Sequence, residues 1–159
     1  MRRLFSVVIA FVFALLVSAP AQAQIVNFTG ILSGGNEVPG VTTGAVGTVT
    51  AAIDLATGVL TYRVDVFNMP VGTTAGHFHV GAAGVAGPVV VNFTVLTNIS
   101  NDFVISGTAS ATSLVPRAAQ GINSWDDFVQ TLLLGNIYAN VHSTANPGGE
   151  IRGQLIRVP

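Results

Sequence analysis

Three histidines hold most of the chemistry available to this chain, and two of them stand one residue apart. Residues 75–81 read Ala-Gly-His-Phe-His-Val-Gly. An extended strand points alternate side chains to opposite faces, so His77 and His79 lie side by side while Phe78 and Val80 face the other way. The third, His142, ends the stretch Ile137-Tyr-Ala-Asn-Val-His142. That stretch alternates too, with Ile137, Ala139 and Val141 on one face and Tyr138, Asn140 and His142 on the other. If the two strands are neighbours, three imidazoles converge. Residues two apart on a strand are separated by roughly 6.5–7 Å at Cα, and imidazole–metal bonds are about 2.0–2.1 Å, so leaning side chains can close on one ion. Three neutral imidazoles without a thiolate suit copper, or less well zinc, and leave a fourth position for water or substrate. The same residues serve a second reading: they hydrogen-bond loop carbonyls and order the glycine-rich segment 81–88. The sequence leaves both open.

Other chemistries lack their parts. There is no nucleophile-elbow serine, no phosphate loop and no cysteine. The acidic residues are scattered, with no pair set for glycoside hydrolysis. No catalytic residue is assigned, and the expectation is a protein that works without catalysis.

The elements that must position the histidines read as short strands. In Gly47-Thr-Val-Thr-Ala-Ala-Ile-Asp-Leu55 the apolar side chains Val49, Ala51, Ile53 and Leu55 alternate with polar ones. A hairpin connection over 54–58, with Gly58 able to take positive φ, leads to a run that sets Leu60, Tyr62, Val64 and Val66 against Thr61, Arg63 and Asp65. This is the pattern of half-buried antiparallel strands, with Arg63 and Asp65 facing solvent. Asn68-Met-Pro70 breaks the run. Further strands are expected over 89–96 and 103–111, with a turn at 97–101, and Asn146-Pro-Gly-Gly149 precedes a closing strand over 150–158. One segment departs from period two. Ser124-Trp-Asp-Asp-Phe-Val-Gln-Thr-Leu-Leu-Leu-Gly135 has an N-cap serine and two aspartates at the positive end of a helix. It also carries a Trp125–Phe128–Leu132 core stripe and a glycine stop.

Composition narrows the setting. Arg2 and Arg3 precede an apolar run closed by Ala21-Gln22-Ala23, the form of an export signal over 1–23. That run is too short for a span of roughly 20 residues, and no second one follows, so no membrane span is expected after cleavage. Residues 24–159 are expected to form one domain. They carry four arginines, no lysine and seven acidic residues, a net charge near −3, which excludes a phosphate-neutralising surface and hence nucleic acid as partner. With no cysteine, stability must come from the core.

Leu32-Ser-Gly-Gly-Asn-Glu-Val-Pro39, Gly58-Val-Leu-Thr-Tyr62, Ala75-Gly-His-Phe-His79, Gly84-Val-Ala-Gly-Pro-Val-Val90, Gly135-Asn-Ile-Tyr-Ala-Asn-Val-His142 and Asn146-Pro-Gly-Gly-Glu-Ile-Arg-Gly-Gln-Leu155 together resemble the CHRD domain, named after chordin and common in secreted bacterial proteins. The resemblance implies an exported, periplasmic or extracellular, β-rich module over 24–159 without established catalysis. Such a module would hold an extracellular protein or matrix partner through sheet faces and loops such as 33–44 and 81–88. A weaker likeness joins Gly76-His-Phe-His-Val80, and Val141-His142 with Arg152, to the copper-ligand strands of Cu/Zn superoxide dismutases. It implies His77, His79 and His142 as copper ligands and Arg152 as an anion-attracting residue. No histidine remains for a zinc site, so the alternative function is a mononuclear copper protein for storage, transfer or superoxide-type redox work. The fold expected is all-β. It is an antiparallel Greek-key β-sandwich, immunoglobulin-like or superoxide-dismutase-like, with one short helix near 124–134.

Overall fold

The computed structural model describes residues 24–70, 72–94 and 101–159. The export signal expected over 1–23 lies outside them, as does the stretch 95–100, where the β-branched run was expected to end in a turn. Nine strands and one α-helix follow in chain order: β1 (Ile25–Ser33), β2 (Val46–Asp54), β3 (Val59–Phe67), β4 (Thr73–Val80), β5 (Val89–Asn92), β6 (Phe103–Ala109), α1 (Trp125–Leu133), β7 (Ile137–Ser143), β8 (Ile151–Gln154) and β9 (Ile156–Arg157). No helix among the described residues is long and apolar enough to cross a membrane.

All pairings between the strands are antiparallel, and they form one sheet in the order β5-β4-β7-β8-β1-β2-β3-β6, with β9 added beside β1. The sheet folds over so that its two halves face each other. Tyr62 of β3 meets Phe78 of β4 edge-on at 5.4 Å and stacks on Phe93 at 4.7 Å. The β3–β4, β5–β6 and β6–β7 connections each pass from one half to the other, which returns β7 to the side of β4 in Greek-key fashion. The expected all-β sandwich with one helix is thus what the chain forms.

Local chemistry sets these elements. In β2 and β3 every second residue is buried, and the turn between them is held by the Asp54 carboxylate accepting from the Ala56 N–H at 2.9 Å, with Gly58 at φ 68°. Ser124 caps α1: its Oγ accepts from Asp127 N–H, and the Asp127 carboxylate accepts in return from the Ser124 N–H at 2.9 Å. Trp125, Phe128 and Leu132 are buried as the stripe predicts, and the indole N–H donates to the Gly58 carbonyl at 2.7 Å. That bond ties the helix to the β2–β3 turn. Gly135, at φ 75°, ends the helix and releases the chain into β7.

Several boundaries differ from the sequence pattern: β2 stops at Asp54, leaving Leu55 exposed in the turn, and the strand expected over 103–111 ends at Ala109. The run expected over 89–96 pairs as a strand only through Asn92, and the closing strand over 150–158 is split at Leu155 into β8 and β9. Leu155 leaves the ladder to be fully buried, and its N–H donates to Ile137 O at 3.0 Å. An unbroken strand would place that side chain by alternation alone.

Candidate metal centre

The register of β4 against β7 brings the three histidines together. His77 pairs with Asn140, His79 with Tyr138, and Ala75 with His142, while Phe78 faces Ala139 and Val80 faces Ile137. Paired residues share a face, so His77, His79, Tyr138, Asn140 and His142 lie on one side and the apolar set fills the core on the other. All seven residues of β7 are buried, the polar ones included. Three loops cover that polar face. Segment 81–88 lies over His79, the turn 144–149 over His142, and the loop after β1 sets Glu37 on Asn140.

Backbone carbonyls fix two of the rings. His79 Nδ1 lies 2.9 Å from Gly87 O, and His142 Nδ1 lies 2.9 Å from Pro147 O. A carbonyl only accepts, so each Nδ1 holds the proton and each Nε2 presents a bare lone pair. His142 Nε2 lies 3.0 Å from His77 Nδ1, and therefore takes a hydrogen bond from it. His79 Nε2 is buried and has no partner. The ring centroids are 4.9 Å apart for His77 and His142, 5.4 Å for His77 and His79, and 6.0 Å for His79 and His142. One nitrogen from each residue falls within 4.8 Å of the others. Two imidazole nitrogens on one tetrahedral ion lie about 3.3 Å apart, so closing the cluster on a metal asks for shifts of about an ångström.

The electrostatics suit a cation that competes poorly with protons. Burial, then the charges of His142 and His79, lowers the His77 pKa to about 4. Burial also lowers His79 to about 4, against the pull of the Gly87 carbonyl and with help from the positive charges of His142, Arg152 and Arg117. His142 is lowered by burial as well. All three are neutral at pH 7, with donor pairs available. No carboxylate belongs to the cluster. The donor set is nitrogen only, which suits copper or zinc and not a hard oxygen-seeking cation.

Around the cluster lie further residues, of which the sequence gives a role only to Arg152, as the anion-attracting residue that the resemblance implies. Tyr138 stacks on His79 with centroids 4.9 Å apart, and its hydroxyl takes a hydrogen bond from Gly87 N–H at 3.0 Å. Arg152 is placed beside them, not among the ligand atoms. Its Cζ lies 3.4 Å over the Tyr138 ring, and its Nη2 donates to Ala82 O at 3.0 Å and Val85 O at 2.9 Å, clamping the 81–88 loop. Glu37 accepts a hydrogen bond from Asn140 Nδ2 at 2.5 Å. Burial raises the Glu37 pKa to about 7, although the Asn140 bond and the Arg152 charge pull it down. Glu150, 1% exposed, accepts from Ser143 Oγ and Asn146 Nδ2 and so braces the 143–150 turn that holds His142. The alternation in β7 signals the place of Tyr138 and Asn140; nothing in the pattern ties Glu37 to a strand over a hundred residues away.

Among known families, the model of the CHRD domain matches residues 28–155. No curated protein and no solved structure matches the chain.

Proposed function

This chain belongs to the CHRD domain family, and on that premise we propose that it is an exported CHRD domain whose histidine cluster holds a single copper ion. One observation carries the reading: His79 Nε2 is a buried nitrogen with a free lone pair and no partner, aimed into a cluster where two more imidazoles offer nitrogens within 4.8 Å. An orphaned buried acceptor costs roughly 1–3 kcal/mol, and a metal ion relieves it. The carbonyls of Gly87 and Pro147 act as outer-shell partners, fixing the tautomers of His79 and His142 so that Nε2 faces the ion. His77 supplies the third nitrogen by giving up the hydrogen bond it makes to His142. Copper is favoured over zinc because affinity at nitrogen sites rises toward copper in the first-row series. The protein binds and holds the ion, and no reaction is assigned to it.

The test is titration of the purified protein with Cu(II), beside a variant carrying both His77→Ala and His79→Ala. The reading expects one ion per chain and affinity lower by at least about a hundredfold in the variant, where the outer-shell partners alone are worth about 10–100-fold. Equal affinity in the two proteins contradicts it. Circular dichroism of both proteins separates loss of ligands from loss of fold.

A further inference from the structure

Arg152 carries a buried charge that no described residue neutralises at contact. It is 3% exposed and makes no ion pair among the described residues. Only its Nη2 donates, to the Ala82 and Val85 carbonyls, while Tyr138 lies under the guanidinium. Carbonyl dipoles and a ring face soften a full charge without cancelling it, and a desolvated cation lacking a counter-ion is costly. Glu37 makes no contact ion pair with it: its carboxyl is bonded to Asn140 instead, and the Arg152 charge acts on it only from a distance.

The same arginine lines a groove of about 650 Å³, bounded by β1, the turn at 34–38 and the tip of the 81–88 loop at Ala83 and Gly84. The size is that of a small-molecule site. Polar lining comes from Thr29, Asn36, Glu37 and Gln154, and the apolar part is open to solvent, with Ile31 73%, Ile156 60% and Val38 42% exposed. A buried cation without a contact ion pair, beside exposed Ile31, Val38 and Ile156 and with the Glu37 carboxyl engaged by Asn140, fits a ligand with one negative head and one apolar body. We propose that this groove binds a small organic carboxylate, its head on Arg152 and its body against Ile31, Val38 and Ile156. The site is separate from the histidine cluster and needs no metal, although both share the 81–88 loop.

Calorimetric titration of the purified, metal-free full chain tests the proposal with three probes: 3-phenylpropionate, its neutral amide 3-phenylpropanamide, and acetate. The carboxylate should bind one site at least about tenfold tighter than either control, the scale of one charge-assisted hydrogen bond. Ile156→Glu changes an exposed rim residue and places a like charge at the mouth, so it should weaken 3-phenylpropionate by about tenfold or more with the fold intact by circular dichroism. Equal binding of acid and amide overturns the role of Arg152. Equal binding of acetate overturns the apolar body, and undiminished binding to Ile156→Glu overturns the location. Absence of saturable binding overturns the proposal entirely.

Discussion

Strands β3 and β7 are written alike and end differently. Each alternates apolar and polar residues, and each puts its apolar set into the same core. On β3 the polar side, Thr61, Arg63 and Asp65, stays at the surface, where Arg63 and Asp65 pair with each other at 2.5 Å. On β7 the polar side, Tyr138, Asn140 and His142, is covered by three loops, and every residue of the strand is buried. Burial turns an ordinary polar face into a site. It neutralises the imidazoles, directs their protons to loop carbonyls and leaves one nitrogen without a partner. The lesson is that alternation locates a polar face, while the loops decide whether that face is solvated surface or chemistry.

The comparison can be broken most forcefully at the ligands. His142→Ala should lower copper affinity by at least about a hundredfold, whereas Arg63→Ala on β3 should leave it unchanged; titration of both variants decides. A similar loss from each would mean that the ion sits elsewhere.

A core substitution should treat the two halves of the sheet alike. Phe78 is fully buried behind the histidines and contacts Tyr62 and Phe93, so Phe78→Ala should cost about 3–5 kcal/mol in chemical denaturation. A loss under about 1 kcal/mol would show that the two halves do not share one core.

Next comes the loop. A Cβ on Gly87 would overlap the Val80 carbonyl, so Gly87→Ala must displace the segment that orients His79. Copper affinity should fall by about 10–100-fold while secondary structure persists. Gly84, where a Cβ meets no atom within 4 Å but φ is 77°, is the milder control.

The pH response sharpens the contrast further. Folding lowers the histidines from 6.5, to about 4 in His77 and His79. The folded chain therefore holds fewer protons than the unfolded one in that window. The stability at stake is fully present above about pH 6.5 and is lost as pH falls toward 4. Glu37 works in the opposite sense: raised from 4.5 to about 7, it contributes stability below 4.5 that is lost as pH rises through 7. Metal-free protein should thus melt lower at pH 4.5 than at pH 6.5, and Glu37→Gln should steepen that slope. The smallest effect belongs to β3, where Asp65→Asn removes only an exposed ion pair and should change the melting temperature at pH 6.5 little.

How much of this could be read from the chain alone follows from the same contrast. Alternation in 47–54 and 59–67, the capping residues of 124–135 and the shared face of His77 and His79 are local signals that appear in the fold, whereas the meeting with His142 comes from the β4–β7 register. Two proposed roles for the histidines, metal ligand or loop tie, looked exclusive in the sequence. In space Nδ1 of His79 and of His142 does the tying and Nε2 is left over, so one ring can serve both. Glu37 and Gly87 were out of reach because their positions depend on loop paths, and Arg152 is named in the sequence only through the likeness to copper-ligand strands, which says nothing of its tie to the 81–88 loop. Arg152 contacts Ala82 and Val85 only because β8 runs beside β7 under the 81–88 loop. No period in the sequence encodes that arrangement.

The most direct test of the account is electron paramagnetic resonance of the protein loaded with one equivalent of Cu(II), read for nitrogen superhyperfine coupling. Three imidazole nitrogens on a single copper are predicted, with the pattern reduced in His142→Ala. An identical spectrum from the two proteins, or one without imidazole coupling, would contradict it.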